Sequence, residues 1–367
     1  SLTTPLVSAA KPGQAQPPMS YICLEADSGL VVKESHADLP RPAASMVKMM
    51  LFLLVAEGLE QRVWSLDTPI RVSTNAQQTG GSEVKLRAGE KYPLRELMLA
   101  VAVVSANDAA TAVAEALWGS EANYLAGANR RARELGMEDT LFRSVHGLPP
   151  KNAENHDRTS ARDMAILAQW CVRKPVILEW TKQQTFAPGP TNPSLDNTNK
   201  LLGRMPDSDG LKTGYTRAAG YCVAATAKRN DIRLLAVVMG HDTAEGRFDL
   251  AEELLEEGFN QLRRVRCLAK GQAVGPPLSV PNSTPGTVQP VAADDLWVAV
   301  PEKDLNQLEV VATRPDRLRA PLTQGTVIGQ ASLELRGQAL ARVSLVLPRS
   351  IEAARWFHNL LRSAEPE

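Results

Sequence analysis

Apolar and polar positions alternate with two different periods along this chain, and the changes of period divide it. Tyr21 to Asp27 and Leu30 to Glu34 read as two strands joined by the Ser28-Gly29 turn. From Pro42 to Glu60 the chain is apolar almost throughout, the mark of a helix buried on every side. Leu94 to Trp118 and Asn123 to Leu135 carry the period of 3.6 that packed helices show. After the Pro- and Asn-rich stretch Pro188 to Asn199, three strand patterns follow one another, Gly210 to Thr216, Tyr221 to Lys228 and Ile232 to Gly240. A helix over Ala244 to Phe259 closes this part. A sheet drawn from both ends of such a segment, with helices inserted between, is an α+β design.

Val, Gly and Pro dominate from Leu262 to Leu347 and helical periods are rare, which predicts a small all-β domain. The expected organisation is an extended lead-in over 1–20, a first domain over 21–261, a β-rich domain over 262–349, and an amphipathic helix and tail over 350–367. In that last helix Ala353, Ala354, Trp356, Phe357, Leu360 and Leu361 fall on one side. The face fits a bilayer interface over 350–362 or packing on its own domain, and the pattern leaves both open.

Composition narrows the function classes. Forty-one basic residues balance 41 acidic ones, so no global field holds nucleic acid. The longest apolar runs, Met49 to Ala56 and Leu97 to Val104, fall far short of the ~20 residues that span a bilayer. The chain begins Ser1-Leu2-Thr3 without a basic-plus-apolar leader and reads as a mature or trimmed form. Cys23, Cys171, Cys222 and Cys267 are far apart, which predicts buried thiols and no disulfide. The five histidines show no metal spacing.

Three short elements carry candidate chemistry. Ser-x-x-Lys occurs at Ser8/Lys11, Ser45/Lys48 and Ser82/Lys85, but only Ser45 stands at the start of the buried helix. Three residues apart on a helix, Lys48 reaches the Ser45 hydroxyl, and its apolar neighbours predict a desolvated amine able to take the hydroxyl proton. On this motif alone, a lysine snorkelling to the surface is as good a reading. Ser105-Ala106-Asn107 reads by itself as a helix cap or loop. Lys212-Thr213-Gly214 places Lys and Gly in a strand pattern that disfavours both, which suggests a backbone approached closely by a ligand.

Class A β-lactamases and penicillin-binding proteins carry these three elements in this order. The chain resembles the low-molecular-mass penicillin-binding proteins that act as serine-type D-alanyl-D-alanine carboxypeptidases, the S11 peptidases, over about Tyr21 to Phe259 and more faintly beyond. Further matching segments are Leu135-Gly136-Met137, Ser144-Val145-His146-Gly147-Leu148, Ser160-Ala161-Arg162-Asp163-Met164 and Asp209 to Thr216. The resemblance implies a β-lactamase-like antiparallel sheet with an inserted helical cluster, and removal of the terminal D-alanine from peptidoglycan stem peptides. It implies that Ser45 is the nucleophile and Lys48 the base. The backbone N–H groups of Ser45 and Tyr215 would form the oxyanion hole, Ser105 and Lys212 would relay a proton to the leaving amine, and Asn107 would bind the substrate's peptide chain. Thr213 and Arg247 would hold the terminal carboxylate beside Gly214, and His146 would fix a loop.

β-Lactams become covalent inhibitors on this reading, and neither metal nor organic cofactor is needed. The expected location is outside the cytoplasmic membrane or in a periplasm, and the C-terminal domain resembles one that holds the catalytic domain off the membrane. Two departures stand out. Ala106 occupies a position that is usually Gly in the family, and Asn197-Thr198-Asn199 lacks the basic residue that some relatives carry there. The nearest alternative is a muropeptide DD-endopeptidase working with the same residues. A class A β-lactamase is further off, because no Glu-x-x-Leu-Asn segment is present to activate a deacylating water.

Overall fold

The computed structural model describes residues 18–149, 156–188 and 193–354. The chain forms two compact units, residues 1–26 with 31–260, and residues 27–30 with 261–367. The first is organised by one antiparallel sheet. Its strands are β1 (Ser20–Glu25), β2 (Val31–Ser35), β3 (Ser208–Thr216), β4 (Gly220–Arg229) and β5 (Ile232–His241), in the order β2-β1-β5-β4-β3. The N-terminal hairpin therefore lies beside the last strand of the meander, with Ile22 opposite Val237. Both sequence ends of the unit build the sheet, as the pattern predicts, and β3 is left at the edge.

Between the two halves of the sheet run the helices α1 (Lys48–Glu60), α2 (Leu94–Val103), α3 (Asn107–Trp118), α4 (Glu121–Glu134), α5 (Ala161–Val172) and α6 (Pro175–Thr181), and α7 (Gly246–Gln261) follows the sheet. Ser120 and Ser160 cap α4 and α5 by accepting from Asn123 N and Asp163 N, and Pro175 opens α6, where a missing N–H costs nothing. Met49 to Leu53, Val55 and Ala56 are all buried, so α1 is the apolar axis on which α3, α4, α5 and α6 pack.

Two expected boundaries move, both at backbone with positive φ. The helix expected from Pro42 starts at Lys48, preceded by a 3-10 turn over Ala44–Val47, with Ala44 at φ 48°. The helical pattern over 94–118 is broken at Val104 to Ala106, where Ser105 sits at φ 60°. Each costs a non-glycine residue about 1–3 kcal/mol, which the surrounding core must hold in place. Ala106 itself has φ −57°, and its methyl is fully buried in the core, so the position does not need a glycine.

The second unit is all-β over its described residues, apart from one short 3-10 stretch. β6 (Leu262–Leu268) pairs with β7 (Leu296–Pro301). A second sheet has the order Val291–Ala292, β10 (Gln338–Val346), β9 (Val327–Leu335), β8 (Leu308–Thr313). Ala331, Leu333 and Leu335 alternate into a core separate from the first. The helix expected from Ser350 is corrected at its start. Glu352–Ala353 is a strand paired with Ser283–Thr284, and Ile351 bridges Leu322, because backbone pairing outweighs a weak helical period. The rest of that segment, 355–367, and residues 1–17 of the lead-in lie outside the described residues.

No described helix is long and apolar enough to cross a membrane. All four cysteines are free; Cys23, Cys171 and Cys222 are buried as expected, while Cys267 is only partly so.

The α1 axis makes a stability prediction. Phe52 is fully buried, with its ring 6.3 Å from that of Trp180. Phe52→Ala should destabilise the first unit by about 3–5 kcal/mol. Urea unfolding would show it as a lower midpoint, and a near-parental midpoint would contradict the packing.

Candidate active site

Ser45 occupies the 3-10 turn, and Lys48 is the first residue of α1, so one turn of chain brings their side chains together. Lys48 Nζ donates to Ser45 Oγ at 2.9 Å. It also donates to Asn107 Oδ1 at 2.7 Å and to the His146 carbonyl at 2.9 Å, and Ser105 Oγ lies 3.5 Å away. Lys48 is fully buried, so the snorkelling alternative fails. Burial first, and then the charge of Lys212, hold its amine well below the ordinary lysine range, against the opposing pull of Asp157 and Asp108.

The left-handed turn at Ser105 lets two neighbouring residues face Lys48 from the same α2–α3 corner. Asn107 does so with its carbonyl oxygen, while its amide nitrogen donates to Gly80 O at 2.8 Å. Both ends of the side chain are thus engaged inside the protein. Asn107 N donates to Ser82 O, and Asp108 accepts from Val84 N and Leu86 N, so the same corner fixes the 80–86 loop.

His146 delivers its backbone carbonyl to the site. Its ring Nδ1 accepts from Leu148 N, and burial, followed by the charge of Lys48, pushes its pKa down to about 4. The ring is a neutral loop-fixing group, as the sequence suggests. Gly147 is wedged against the Ser45 turn: it has φ 80°, and a β-carbon there would stand 2.0 Å from Ala44 O. Asp157 ties this loop down through Arg143 N, Ser144 N and Ser144 Oγ. Desolvation raises its pKa, against those three donors.

The edge strand β3 forms the other wall. Gly214 lies so close to the Ser45 turn that a β-carbon would be 3.1 Å from Ala43 O and 3.2 Å from Ser45 N. A side chain at this strand position would therefore push the Ser45 turn back by a few tenths of an ångström. Lys212 is buried, donates to Thr213 O at 2.8 Å, and is pushed down to about 7 by burial and then by Arg247. Thr213 Oγ1 donates to Thr198 Oγ1 at 2.8 Å. The Tyr215 ring is half exposed and stacks on Tyr221 with 4.2 Å between centroids. Arg247 reaches back from α7 to the carbonyls of Gly214 and Cys222 at 3.1 and 3.3 Å.

Ser45, Lys48, Ser105 and Asn107 thus come together through direct contacts, and Gly214 joins them through the Ser45 turn. Sequence reasoning passed over Thr198, Asp157 and Gly80. Thr198 lies in the Asn-Thr-Asn segment and, like the other two, carries no motif of its own. Among the described residues no cluster of His, Cys, Asp or Glu is arranged to hold a metal.

Comparison with known proteins agrees with this geometry. Residues 7–243 match the family model of D-alanyl-D-alanine carboxypeptidase, peptidase S11, and residues 263–353 match that of the penicillin-binding protein 5 C-terminal domain. The chain is similar to the D-alanyl-D-alanine carboxypeptidase DacF of Bacillus subtilis, at 29% identity over 94% of this chain and 88% of that protein. Its fold is similar to that of a peptidoglycan synthesis regulatory factor, PBP3, from Streptococcus pneumoniae, with a TM-score of 0.79 and 28% identity over 91% and 98% of the two chains. It is also similar to penicillin-binding protein D2 of Listeria monocytogenes in its ampicillin-bound form, with a TM-score of 0.57 and 31% identity over 68% and 100%. Two matched domains in the same order, together with a buried lysine on the serine of the Ser-x-x-Lys motif, show that the chain belongs to the D-alanyl-D-alanine carboxypeptidase family of low-molecular-mass penicillin-binding proteins.

Proposed function

We propose that this serine D-alanyl-D-alanine carboxypeptidase works through an acyl-enzyme on Ser45, with Lys48 as the base. The observation that carries the reading is the pattern of contacts around Lys48 Nζ. A neutral amine has two N–H donors and one lone pair. Asn107 Oδ1 and His146 O can only accept, so in the neutral amine they keep the two N–H groups; the bond that the amine donates to Ser45 Oγ then reverses, and the lone pair faces a hydroxyl that otherwise donates to His146 O at 3.3 Å.

In acylation the Ser45 oxygen bonds to the carbonyl carbon of the penultimate D-alanine while its proton passes to Lys48. The peptide C–N bond then breaks, and the departing D-alanine amine takes a proton through Ser105, with Lys212 supplying positive charge beside it. The backbone N–H groups of Ser45 and Tyr215 stabilise the oxyanion. Thr213 lies beside Arg247's partner Gly214 on the same strand, and with Arg247 is the candidate for the terminal carboxylate. Water, activated by Lys48, releases the shortened peptide.

A β-lactam presents its strained amide in place of the scissile bond, and the bound ampicillin of the Listeria relative supports that reading. Peptidoglycan stem peptides lie outside the cytoplasmic membrane, so the enzyme works there.

Penicillin should acylate Ser45, and peptide mapping of the adduct would locate it; modification at Ser8 or Ser82 would rule out this nucleophile. Lys48→Arg should leave the fold intact and abolish turnover, because guanidinium stays protonated at any usable pH. Parental enzyme should lose activity as pH falls through the lowered Lys48 pKa. Hydrolysis by Lys48→Arg within tenfold of the parental rate would exclude Lys48 as the base.

The buried lysines also set a cost in stability. Between about 7 and the ordinary lysine value of about 10.4, Lys212 is neutral in the folded chain and charged in the unfolded one. The unfolded state then binds the extra proton, so this group's contribution makes stability rise with pH across that window, and below 7 the full penalty is present. Lys212→Met should therefore be more stable than the parent at pH 6, by roughly 1–2 kcal/mol, while losing activity. Its advantage should narrow by pH 9.5 in thermal melts; an advantage that grows with pH would contradict the assigned direction.

A further inference from the structure

The peptide unit between Gly214 and Tyr215 is held at both ends. Arg247 Nη1 donates to Gly214 O at 3.1 Å and to Cys222 O at 3.3 Å. Gly214 and Cys222 are opposite each other in the β3–β4 ladder, and because one nitrogen reaches both carbonyls, the Gly214 carbonyl lies on the β4 side of its strand. β3 is the edge strand and this peptide bond is trans, which points the Tyr215 N–H the other way, off the free edge. The guanidinium is fixed in turn. It lies over the rings of Tyr221 and Phe248, 5.3 and 4.5 Å from their centroids, and Tyr221 stacks on the side chain of Tyr215 itself. Arg247, Tyr221 and Tyr215 thus make one stack that ends on the residue whose N–H is the oxyanion donor.

We propose that Arg247 is a positioning residue for the oxyanion hole: it holds and polarises the Gly214 carbonyl, so that the Tyr215 N–H is a fixed and stronger donor. The inference rests on the Ser45 acyl-enzyme reading above. A charge-assisted hydrogen bond to a carbonyl draws electron density from the amide nitrogen and strengthens its N–H as a donor. This role is separable from a grip on the substrate's carboxylate. In deacylation, water oxygen bonds to the ester carbonyl carbon, its proton goes to Lys48, and the carbonyl π pair moves to oxygen. Collapse then breaks the bond to Ser45 Oγ, which takes a proton. The D-alanine bearing the carboxylate has already left, so an arginine that only held it has no effect on this step.

The test compares the full chain with Arg247→Gln and Arg247→Lys, using an N-acyl-D-alanyl thiolester as acyl donor. Deacylation is followed by the decay of the Ser45 adduct in mass spectrometry, and the ester carbonyl stretch by infrared difference spectra with a ¹³C-labelled carbonyl. Arg247→Gln should slow deacylation about tenfold, less than the loss of a whole oxyanion donor, and move the stretch to higher frequency. Arg247→Lys keeps the charge but not the planar group over Tyr221 and Phe248, and should fall between; it carries the comparison if the Gln variant does not fold. Parental deacylation and an unmoved stretch, with a raised KM for a free-acid peptide alone, would overturn the proposal and leave Arg247 as a carboxylate clamp. No adduct on Ser45 in the parental enzyme would instead overturn the serine reading and this inference with it.

Discussion

The desolvation of one amine, Lys48 Nζ, is the constraint around which the first unit is arranged. An ammonium in that position loses hydration that the protein only partly replaces, so the neutral form gains relative to water. Three features of the fold act in the same direction. The apolar α1 axis excludes water, Lys212 adds a like charge, and Lys48 stands at the first residue of α1, where the helix dipole already disfavours a cation. The lowered pKa of Lys48 is therefore made by position.

Keeping the site dry requires that the loops around it be held without water, and two buried carboxylates do this. Asp108 gathers the backbone donors of the 84–86 segment, and Asp157 those of 143–144. Neither pairs with a lysine directly. Each fixes a loop that delivers one acceptor, Gly80 O to Asn107 and the His146 carbonyl to Lys48. The acceptors are in this way neutral and the charges sit behind them. A carboxylate in contact with Lys48 would have raised its pKa and undone the effect of burial.

What the sequence revealed follows from how local each feature is. The three strands over 208–241 are legible because each is a nearly continuous apolar run bounded by turn residues, and Ser45 with Lys48 because a single turn joins them. The positive φ at Ala44 and Ser105 is invisible, since neither residue type announces it and only the surrounding core enforces it. Asn107 was readable as a site residue but not in its orientation, which depends on Gly80, a residue in another loop. Glu352–Ala353 was misread for the same reason: its strand partner, Ser283–Thr284, is remote in sequence, while the helical period was local.

Lys48, Lys212 and Arg247 form a line of basic groups in which each depresses the pKa of the one before it, and among the described residues no carboxylate pairs with either lysine. A protein designed only for stability would place an acid among them. On the proposed reading the missing partner arrives with the chemistry, first as the substrate's terminal carboxylate and then as the oxyanion. Each anion would favour the charged form of Lys212 when it is present, and Lys212 in turn keeps Lys48 neutral. On the proposed reading, substrate binding thus reinforces the protonation states that acylation needs, because the cleft is short of the charge that the substrate brings.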